Sequence, residues 1–293
     1  MKLVSYVTGG KASYGALVGG RIVDLSRAPG APSDLKGWIA GAPETLQGAA
    51  AWLETAAGSQ AVDPVEITWL PVVPNPGKFI CLGLNYADHA AEGGFDVPSY
   101  PALFMRAPSS LLGNGQPLVR PRVSETLDFE AELAVVIGRG GRHLAEAQAL
   151  DAVFGYTAFN DGSIREYQRR TAQWTAGKNF DATGPLGPVV VTADELPPGA
   201  HGLNIATRLN GETVQSSNTE QMIFSVARTV SLLSEIMTLE PGDLIAMGTP
   251  SGVGHARRPP LWMKPGDVCE IEIEAIGVLS NPVIAEDGAP ADC

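Results

Sequence analysis

The chain has 293 residues, of which 44% are hydrophobic and 18% charged, which is the composition of a folded globular protein with one large domain or two unequal ones. Its formal net charge is −12, from 32 acidic and 20 basic residues, which argues against nucleic acid or an anionic membrane as a partner. A small-molecule ligand is therefore expected.

The cysteines and the apolar segments indicate a cytoplasmic protein. Cys81, Cys269 and Cys293 form no CxxC pair, so neither a disulfide framework nor a thiolate zinc site is implied. No apolar run approaches the roughly 20 residues of a membrane span, and the first 15 residues lack an apolar stretch of signal-peptide length. We therefore predict no membrane partner.

The first 72 residues are predicted to form a small N-terminal α/β domain. The segments LVSYV, YGALV and RIVDL have strand patterns, and Gly19-Gly20 between the last two is a two-residue hairpin signal. Residues 34 to about 58 are Ala-rich, with apolar residues at helical spacing, which predicts one or two helices. EITWLPVV is predicted as a strand that runs into a proline-rich segment, where we place the domain boundary.

Residues 73–288 are predicted to form a larger β-rich domain, followed by a tail at 289–293. Short strand patterns alternate with glycine and proline turns. Ser217 and Glu220 have the spacing of a capping box and predict a helix from there to the Pro241-Gly242 turn. Pro-Gly-Asp occurs at 241–243 and at 265–267, where it suits a type II turn entering a strand.

The segment GLNYADHAAE contains a candidate general base. His89 and Glu92 are three residues apart, so a helical turn places both on one face and the carboxylate can orient the imidazole. The alternative is an ordinary surface pair.

The segment DFEAELAVVIG places Asp128, Glu130 and Glu132 on one face of a strand, and the same face continues as apolar Ala134 and Val136. Carboxylates that are close together repel one another unless a cation lies between them, so this face suggests the mouth of a pocket. The alternative is an edge strand with a solvated acidic end.

Three later segments carry further candidate residues, each with a simpler alternative. In YTAFNDGSIREYQRR the candidates are Asp161, Arg165 and Gln168, and the alternative is a helix capped by Asp161 with an Asp161–Arg165 ion pair. Lys178 in AGKNFDATGPLGP suits a substrate carboxylate or enolate, or is simply solvated. In AMGTPSGVG the backbone and the Thr249 hydroxyl can hold a carboxylate, or form only a tight turn.

Taken in order, these segments resemble the fumarylacetoacetate hydrolase family over about residues 75 to 285. The matching blocks include LGLNYADHAAE, DFEAELAVVIG, GYTAFNDGSIREYQ, GKNFDATGPLGP, PGDLIAMGTPSGVG and MKPGDVCEIEIEAIGVLSNPV. The resemblance implies an α+β, β-rich fold with a mixed β-roll catalytic domain, and a homodimer. It also implies a divalent metal held by Glu130, Glu132 and Asp161, for which Mg²⁺, Mn²⁺ or Ca²⁺ are the candidates because every ligand is an oxygen.

Some positions depart from the founding hydrolases of this family. Asn85 stands near the position of a further metal-binding aspartate, as in the smaller acylpyruvase-type members. Arg106 stands where many members carry lysine. Asp128 is outside the family's ligand set and is interpreted as supporting the ligands or facing solvent.

The activity that the resemblance implies is metal-dependent hydrolysis of a 2,4-dioxo acid, such as fumarylpyruvate, to pyruvate and a second acid in aromatic-compound breakdown. The catalytic residues would be His89, Glu92 and Lys178. The residues that would bind the 2-oxo acid are Arg165, Gln168, Gly248 and Thr249. The same chemistry also serves decarboxylases and tautomerases of oxaloacetate or hydroxymuconate-type acids, which is the alternative function, and a metal-binding protein without turnover is a third.

Overall fold

The computed structural model describes residues 1–56, 61–92, 94 and 96–286. The strands in this part of the chain are β1 Lys2–Thr8, β2 Lys11–Val18, β3 Arg21–Asp24, β4 Ala61–Val62, β5 Thr68–Trp69, β6 Phe79–Gly83, β7 Ala102–Met105, β8 Leu111–Leu112, β9 Leu118–Arg120, β10 Leu127–Asp128, β11 Ala131–Ile137, β12 Val153–Asn160, β13 Ser163–Ile164, β14 Gly184–Thr192, β15 Asn204–Leu209, β16 Glu212–Asn218, β17 Leu244–Ala246, β18 Val268–Ile273 and β19 Gly277–Ala285. The α-helices are α1 Leu35–Ala40, α2 Glu44–Ala56, α3 Ala87–Glu92, α4 Arg165–Gln168, α5 Thr175–Lys178 and α6 Val226–Ile236.

Most strands belong to one large mixed sheet. Its order is β4-β3-β2-β1-β14-β12-β11-β17-β6-β7, with β5 paired to β1 and β8 paired to β14. A second sheet has the order β16-β15-β18-β19-β9, and β10 pairs with β13 alone. The strand-rich α+β fold class predicted from the sequence is confirmed.

Strand β11 is central and buried on both faces. Leu133 and Val135 belong to the hydrophobic core shared with the five-stranded sheet, whereas Ala134 and Val136 face the core covered by α1 and α2. An apolar run is what a strand with two covered faces requires. The interpretation of DFEAELAVVIG as a solvated edge strand is therefore wrong.

The N-terminal hairpin forms as predicted and joins the large sheet. Gly19 and Gly20 connect β2 to β3 with φ of 56° and 81°, values that a two-residue hairpin turn of this kind needs and that glycine adopts without strain. Leu3 of β1 pairs with Val190 of β14, so the first strands extend the same sheet as the later ones. The division at residue 72 stays a prediction, and the predicted tail at 289–293 lies outside the described residues.

Two local predictions need correction. The helix after EQMIF begins at Val226, with Ser225 as N-cap accepting from the Arg228 N–H, whereas Ser217 lies in β16. The capping box was misassigned because Ser225 also satisfies the N-cap rule and lies closer to the buried stripe. EITWLPVV forms a strand only at Thr68–Trp69, since the prolines that follow cannot donate to a ladder.

The two cysteines in the described part of the chain lie in β6 of the large sheet and β18 of the five-stranded sheet. Cys81 and Cys269 are buried free thiols, and Cys293 lies outside the described residues. Among the helices of the described residues, none combines the length and apolar character needed to cross a membrane.

Candidate active site

A cavity of about 120 Å³ opens beside the ends of β6, β11 and β17. Seven of the ten predicted site residues line it: His89, Glu130, Glu132, Arg165, Gln168, Lys178 and Thr249. It is also lined by Arg169, Trp174 and His255, which the sequence did not indicate. We call the buried lining residues Glu130, Glu132, Arg165, Lys178 and Thr249 the inner wall. We call the more exposed residues His89, Gln168, Arg169, Trp174 and His255 the outer wall.

The three predicted metal ligands converge next to the inner wall. Glu130, Glu132 and Asp161 are buried and each contributes one carboxylate oxygen to a group whose atoms lie within 4.8 Å of one another. The antiparallel pairing of β11 with β12 causes this, because Ala131 pairs with Asn160 and the Asp161 N–H donates to the Glu130 carbonyl at 3.0 Å. We call these three residues the acidic cluster.

Fixed cations surround the acidic cluster. The Lys178 ammonium donates to Glu130 at 2.7 Å and to Asp161 at 2.5 Å. The Arg165 guanidinium contacts Glu130 at 2.6 Å, and Arg106 donates to Asp161 at 2.5 Å. Asp161 and Arg165 do not form the alternative ion pair, because each of them contacts different charged residues.

Burial and these neighbours shift the pKa values in opposite directions. Burial alone would raise the pKa of Glu130, but Lys178 and Arg165 outweigh it and hold that pKa far below its usual range. Burial raises the pKa of Glu132 well above its usual range, and the charges of Asp161 and Glu130 raise it further. Burial would lower the pKa of Lys178, but Asp161 and Glu130 outweigh it and the pKa is raised.

The residues present fit a divalent cation. Three buried carboxylates supply the oxygen donors that Mg²⁺, Mn²⁺ and Ca²⁺ prefer. Among the described residues Glu132 forms no salt bridge with a lysine or arginine, and burial together with the charges of Asp161 and Glu130 raises its pKa, so a positive charge beside it would favour its ionised form. A cation bound by the acidic cluster would provide that charge.

The predicted general base His89 and its partner Glu92 both lie on α3. His89 Nδ1 and Glu92 Oε2 are 3.4 Å apart, and their side chains are 13% and 22% exposed. Glu92 also accepts from the Gly252 N–H at 3.0 Å, and this bond ties α3 to the loop after β17. Nε2 is thus the nitrogen of His89 that remains for a ligand in the cavity.

The loop after β17 contributes in two ways. Thr249 lines the cavity and its hydroxyl accepts from the Gln215 side chain at 3.0 Å. Gly248, predicted to bind substrate, does not line the cavity, and its N–H donates to Glu132 Oε2 at 2.9 Å. Its backbone φ of 86° favours glycine, and a Cβ there would lie 2.8 Å from the Asn85 side chain.

Lys178 and Asn85 lie in surroundings that differ from those expected. Lys178 is the last residue of the one-turn helix α5 rather than part of an open loop, and it is buried rather than solvated. Asn85 is buried and bonded to the backbone of Phe224 and Met247, so it supports the fold beside the site.

Asp128 and Arg106 are supporting residues that the sequence left undecided. Asp128 is fully buried, so it does not face solvent; it accepts from Arg165 Nε at 2.8 Å and from the backbone N–H groups of Gly254 and His255. Burial would raise the pKa of Asp128, but Arg165 and His255 outweigh it and the pKa is lowered. Arg106 lies behind Asp161, outside the cavity lining, and is bonded to Thr183 as well. The alternation of side chains along the strand indicated Asp128 in the sequence. No local pattern indicated its partners Arg165, Gly254 and His255, which lie more than 30 residues away.

Comparisons with known proteins agree on one family. The family model described as fumarylacetoacetate (FAA) hydrolase C-terminal matches residues 78–284. A mitochondrial oxaloacetate tautomerase of Xenopus laevis is 40% identical over 269 residues, which cover 91% of this chain and 83% of the relative.

Two solved structures share both the fold and part of the sequence. Fumarylacetoacetate hydrolase from psychrophilic Exiguobacterium antarcticum is 35% identical, with a TM-score of 0.81 over 98% of this chain and all of the other. Maleylpyruvate hydrolase from Sphingobium sp. SYK-6, solved with manganese(II) ion and pyruvate, is 26% identical, with a TM-score of 0.80 over 97% of this chain and 99% of the other.

Proposed function

The chain belongs to the fumarylacetoacetate hydrolase family, and on that premise we propose that it is a tautomerase that interconverts the enol and keto forms of oxaloacetate or a similar 2-oxo acid. The predicted hydrolase activity becomes the second candidate. The proposal is supported by the tautomerase relative, which matches 91% of this chain. Its main structural support is Lys178, a buried ammonium that both lines the cavity and contacts two residues of the acidic cluster.

Lys178 is suited to hold a proton at the substrate's 2-oxo oxygen. Its raised pKa keeps it protonated at neutral pH, so it can donate a hydrogen bond to an oxygen on which negative charge develops. A divalent cation in the acidic cluster, Mg²⁺ or else Mn²⁺ or Ca²⁺, would polarise the 2-oxo group and anchor the neighbouring carboxylate. Thr249 and Gln168, which also line the cavity, would bind and orient the acid.

His89 is suited to move the proton at C3. Glu92 orients the ring through Nδ1, and Nε2 then accepts the C3 proton while the C2–C3 double bond forms and the C2 oxygen takes up the negative charge. A proton from Lys178 on that oxygen gives the enol, the proton held by His89 replaces it through solvent exchange, and the reverse sequence gives the keto form. The reaction consumes no water and breaks no carbon–carbon bond.

Hydrolysis of a 2,4-dioxo acid is the second candidate because the same His89–Glu92 pair can deprotonate water. The attack would fall on C4, the C3–C4 bond would break, and the pyruvate enolate would be held by Lys178. A relative named maleylpyruvate hydrolase has the same fold. A role in aromatic-compound breakdown belongs with this candidate.

One experiment separates the candidates. The enol absorbance of oxaloacetate is followed with protein and Mg²⁺, with EDTA, and with Lys178→Met, while the exposed Lys264→Met serves as matched control. Parallel samples contain a panel of 2,4-dioxo acids, and pyruvate is assayed in all. Metal-dependent loss of enol without pyruvate, absent in Lys178→Met and kept in Lys264→Met, is expected. Stoichiometric pyruvate from a dioxo acid, with unaccelerated tautomerisation, would instead establish the hydrolase.

Two further expectations accompany the proposal. A homodimer and a cytoplasmic location are predictions from the sequence. The Xenopus relative is a mitochondrial protein, so the compartment needs its own test by fractionation.

A further inference from the structure

The outer wall contains an arginine that is not paired with an acid. Arg169 is exposed and lines the cavity, and its Nη2 bonds to His255 Nε2 at 2.6 Å. Within the residues that the structure describes, Arg169 forms no salt bridge. A guanidinium that contacts an imidazole rather than a carboxylate keeps its full charge for a ligand, in a chain whose net charge is −12.

His255 is held in place from the other side. Its backbone N–H donates to Asp128 Oδ2 at 2.9 Å, and its ring Nδ1 lies 3.6 Å from the same oxygen. Since arginine only donates, His255 Nε2 must accept, which leaves the hydrogen of the neutral ring on Nδ1, facing Asp128. Asp128 is itself fixed by Arg165. The backbone of His255 is therefore anchored to Asp128, and its ring Nε2 is the acceptor that positions Arg169.

One nitrogen of a second guanidinium on the same helical face has no acceptor among the described residues. Arg165 and Arg169 are four residues apart, and the Arg169 N–H donates to the Arg165 carbonyl at 3.2 Å. Arg165 Nη2 is buried and has no hydrogen-bond partner among the described residues, although Arg165 lines the cavity. A buried donor without a partner is costly, so a ligand that brings an acceptor to Arg165 Nη2 would stabilise this side of the cavity.

We propose that Arg169, positioned by His255, binds the second carboxylate of a short 2-oxo dicarboxylate. This inference deepens the proposed function and rests on it, because the inner wall is then occupied by the 2-oxo acid end. A guanidinium suits the planar carboxylate with two parallel bonds. The cavity of about 120 Å³ is smaller than the roughly 300 Å³ at which sites for drug-sized ligands begin, and this favours a short acid.

The test measures binding of two stable four-carbon acids that differ only at C4. L-malate carries a carboxylate there and 2-hydroxybutanoate a methyl group. Calorimetry in Mg²⁺ is carried out on the wild type, Arg169→Ala and Arg170→Ala. Arg170 is the matched control because its guanidinium stacks on the Tyr167 ring at 3.6 Å and does not line the cavity.

We expect the wild type and Arg170→Ala to bind L-malate at least about tenfold more tightly than 2-hydroxybutanoate. Arg169→Ala should lose that preference without weakening 2-hydroxybutanoate. His255→Phe should reduce the preference, and His255→Gln should restore part of it, because its amide oxygen can again accept from Arg169. Rescue by glutamine would mark His255 as a positioning residue rather than a packing residue.

Two results would overturn the inference: equal binding of the two acids by the wild type, or an unchanged preference in Arg169→Ala. These binding data do not depend on turnover. If no tautomerisation is found but the preference depends on Arg169, the proposed function fails and the dicarboxylate site stands. If oxaloacetate is tautomerised and its KM is the same in Arg169→Ala, the dicarboxylate site fails alone.

Discussion

The inner and outer walls of the cavity differ in how firmly their charged groups are held. Glu130 contacts both Lys178 and Arg165 within 2.7 Å, and all three are buried. On the outer wall, His89 has one partner at 3.4 Å and Arg169 is held through a single bond to an imidazole. Groups fixed before the ligand arrives are suited to stabilise developing charge. The more exposed groups include the proposed proton acceptor His89 and the proposed carboxylate ligand Arg169, so mutations in the outer wall should change turnover or ligand preference while metal binding is kept.

The largest effect should come from the inner wall. Glu130→Gln keeps the shape of the side chain but removes the charge shared by Lys178 and Arg165, and one predicted metal ligand. Activity should fall by about 10³-fold. The free energy of unfolding should fall by about 2 kcal/mol, because the buried charges of Lys178 and Arg165 lose one of the carboxylates that neutralise them. Initial rates, Mg²⁺ calorimetry and urea unfolding measure these effects.

Glu166→Gln is the control, since Glu166 is exposed and adjacent to Arg165 in the sequence. It should leave the rate, the Mg²⁺ affinity and the stability unchanged. If Glu130→Gln binds Mg²⁺ as tightly as the wild type, the acidic cluster is not the metal site.

A change in the outer wall should slow the reaction and spare the metal. His89→Gln removes the proposed proton acceptor but leaves the acidic cluster intact, so turnover should fall about 10²-fold or more while Mg²⁺ affinity stays the same. The exposed His201→Gln serves as control. An unchanged turnover number in His89→Gln would assign proton transfer to another group.

The pH dependence of Mg²⁺ binding tests the electrostatics of the inner wall. Burial first, and then Asp161 and Glu130, raise the pKa of Glu132, so it must lose a proton when a cation binds. Affinity should therefore rise with pH, by up to about tenfold per unit, until Glu132 is ionised. Without metal, the stability contributed by Glu132 is complete below its usual pKa and declines as pH rises through the raised one. Glu132→Gln should bind Mg²⁺ weakly, with a flatter pH profile.

The two walls also differed in how well the sequence predicted them. Glu130 and Glu132 could be predicted because the alternation of side chains along a strand and the resemblance to the family both depend on residues that are close together in the sequence. Asp161 was assigned to the metal only through the family resemblance, and the structure shows why it lies there, since it follows the next strand of the same antiparallel pair. His255 and Arg169 are 86 residues apart, and the bond between them depends on how the loop after β17 packs on α4. No local pattern encodes that contact.

The misplaced start of α6 has the same origin. Ser217 and Ser225 both precede an apolar stripe, and the sequence alone does not show that β16 extends to Asn218. Sheet pairing of Ser217 with Ile205 outweighs its cap propensity. Tertiary contacts thus decided between two equally valid local signals.

The smallest effect should come from the packing of the outer wall. A Cβ at Gly83 would lie 2.1 Å from the ring of Trp174, which also lines the cavity, so Gly83→Ala must displace that ring. Overpacking of this kind costs about 1–3 kcal/mol when the neighbour cannot move, and less when it can. Because Trp174 is half-exposed and its ring packs on Phe104 from one side, we expect it to move, with about 1 kcal/mol of lost stability and a few-fold higher KM. Gly48→Ala, on the open face of α2 with no atom within 4 Å, should instead gain about 0.5–1 kcal/mol. If Gly83→Ala abolished Mg²⁺ binding, the two walls would be mechanically coupled, and the expectation that the outer wall can change without loss of the metal site would be wrong.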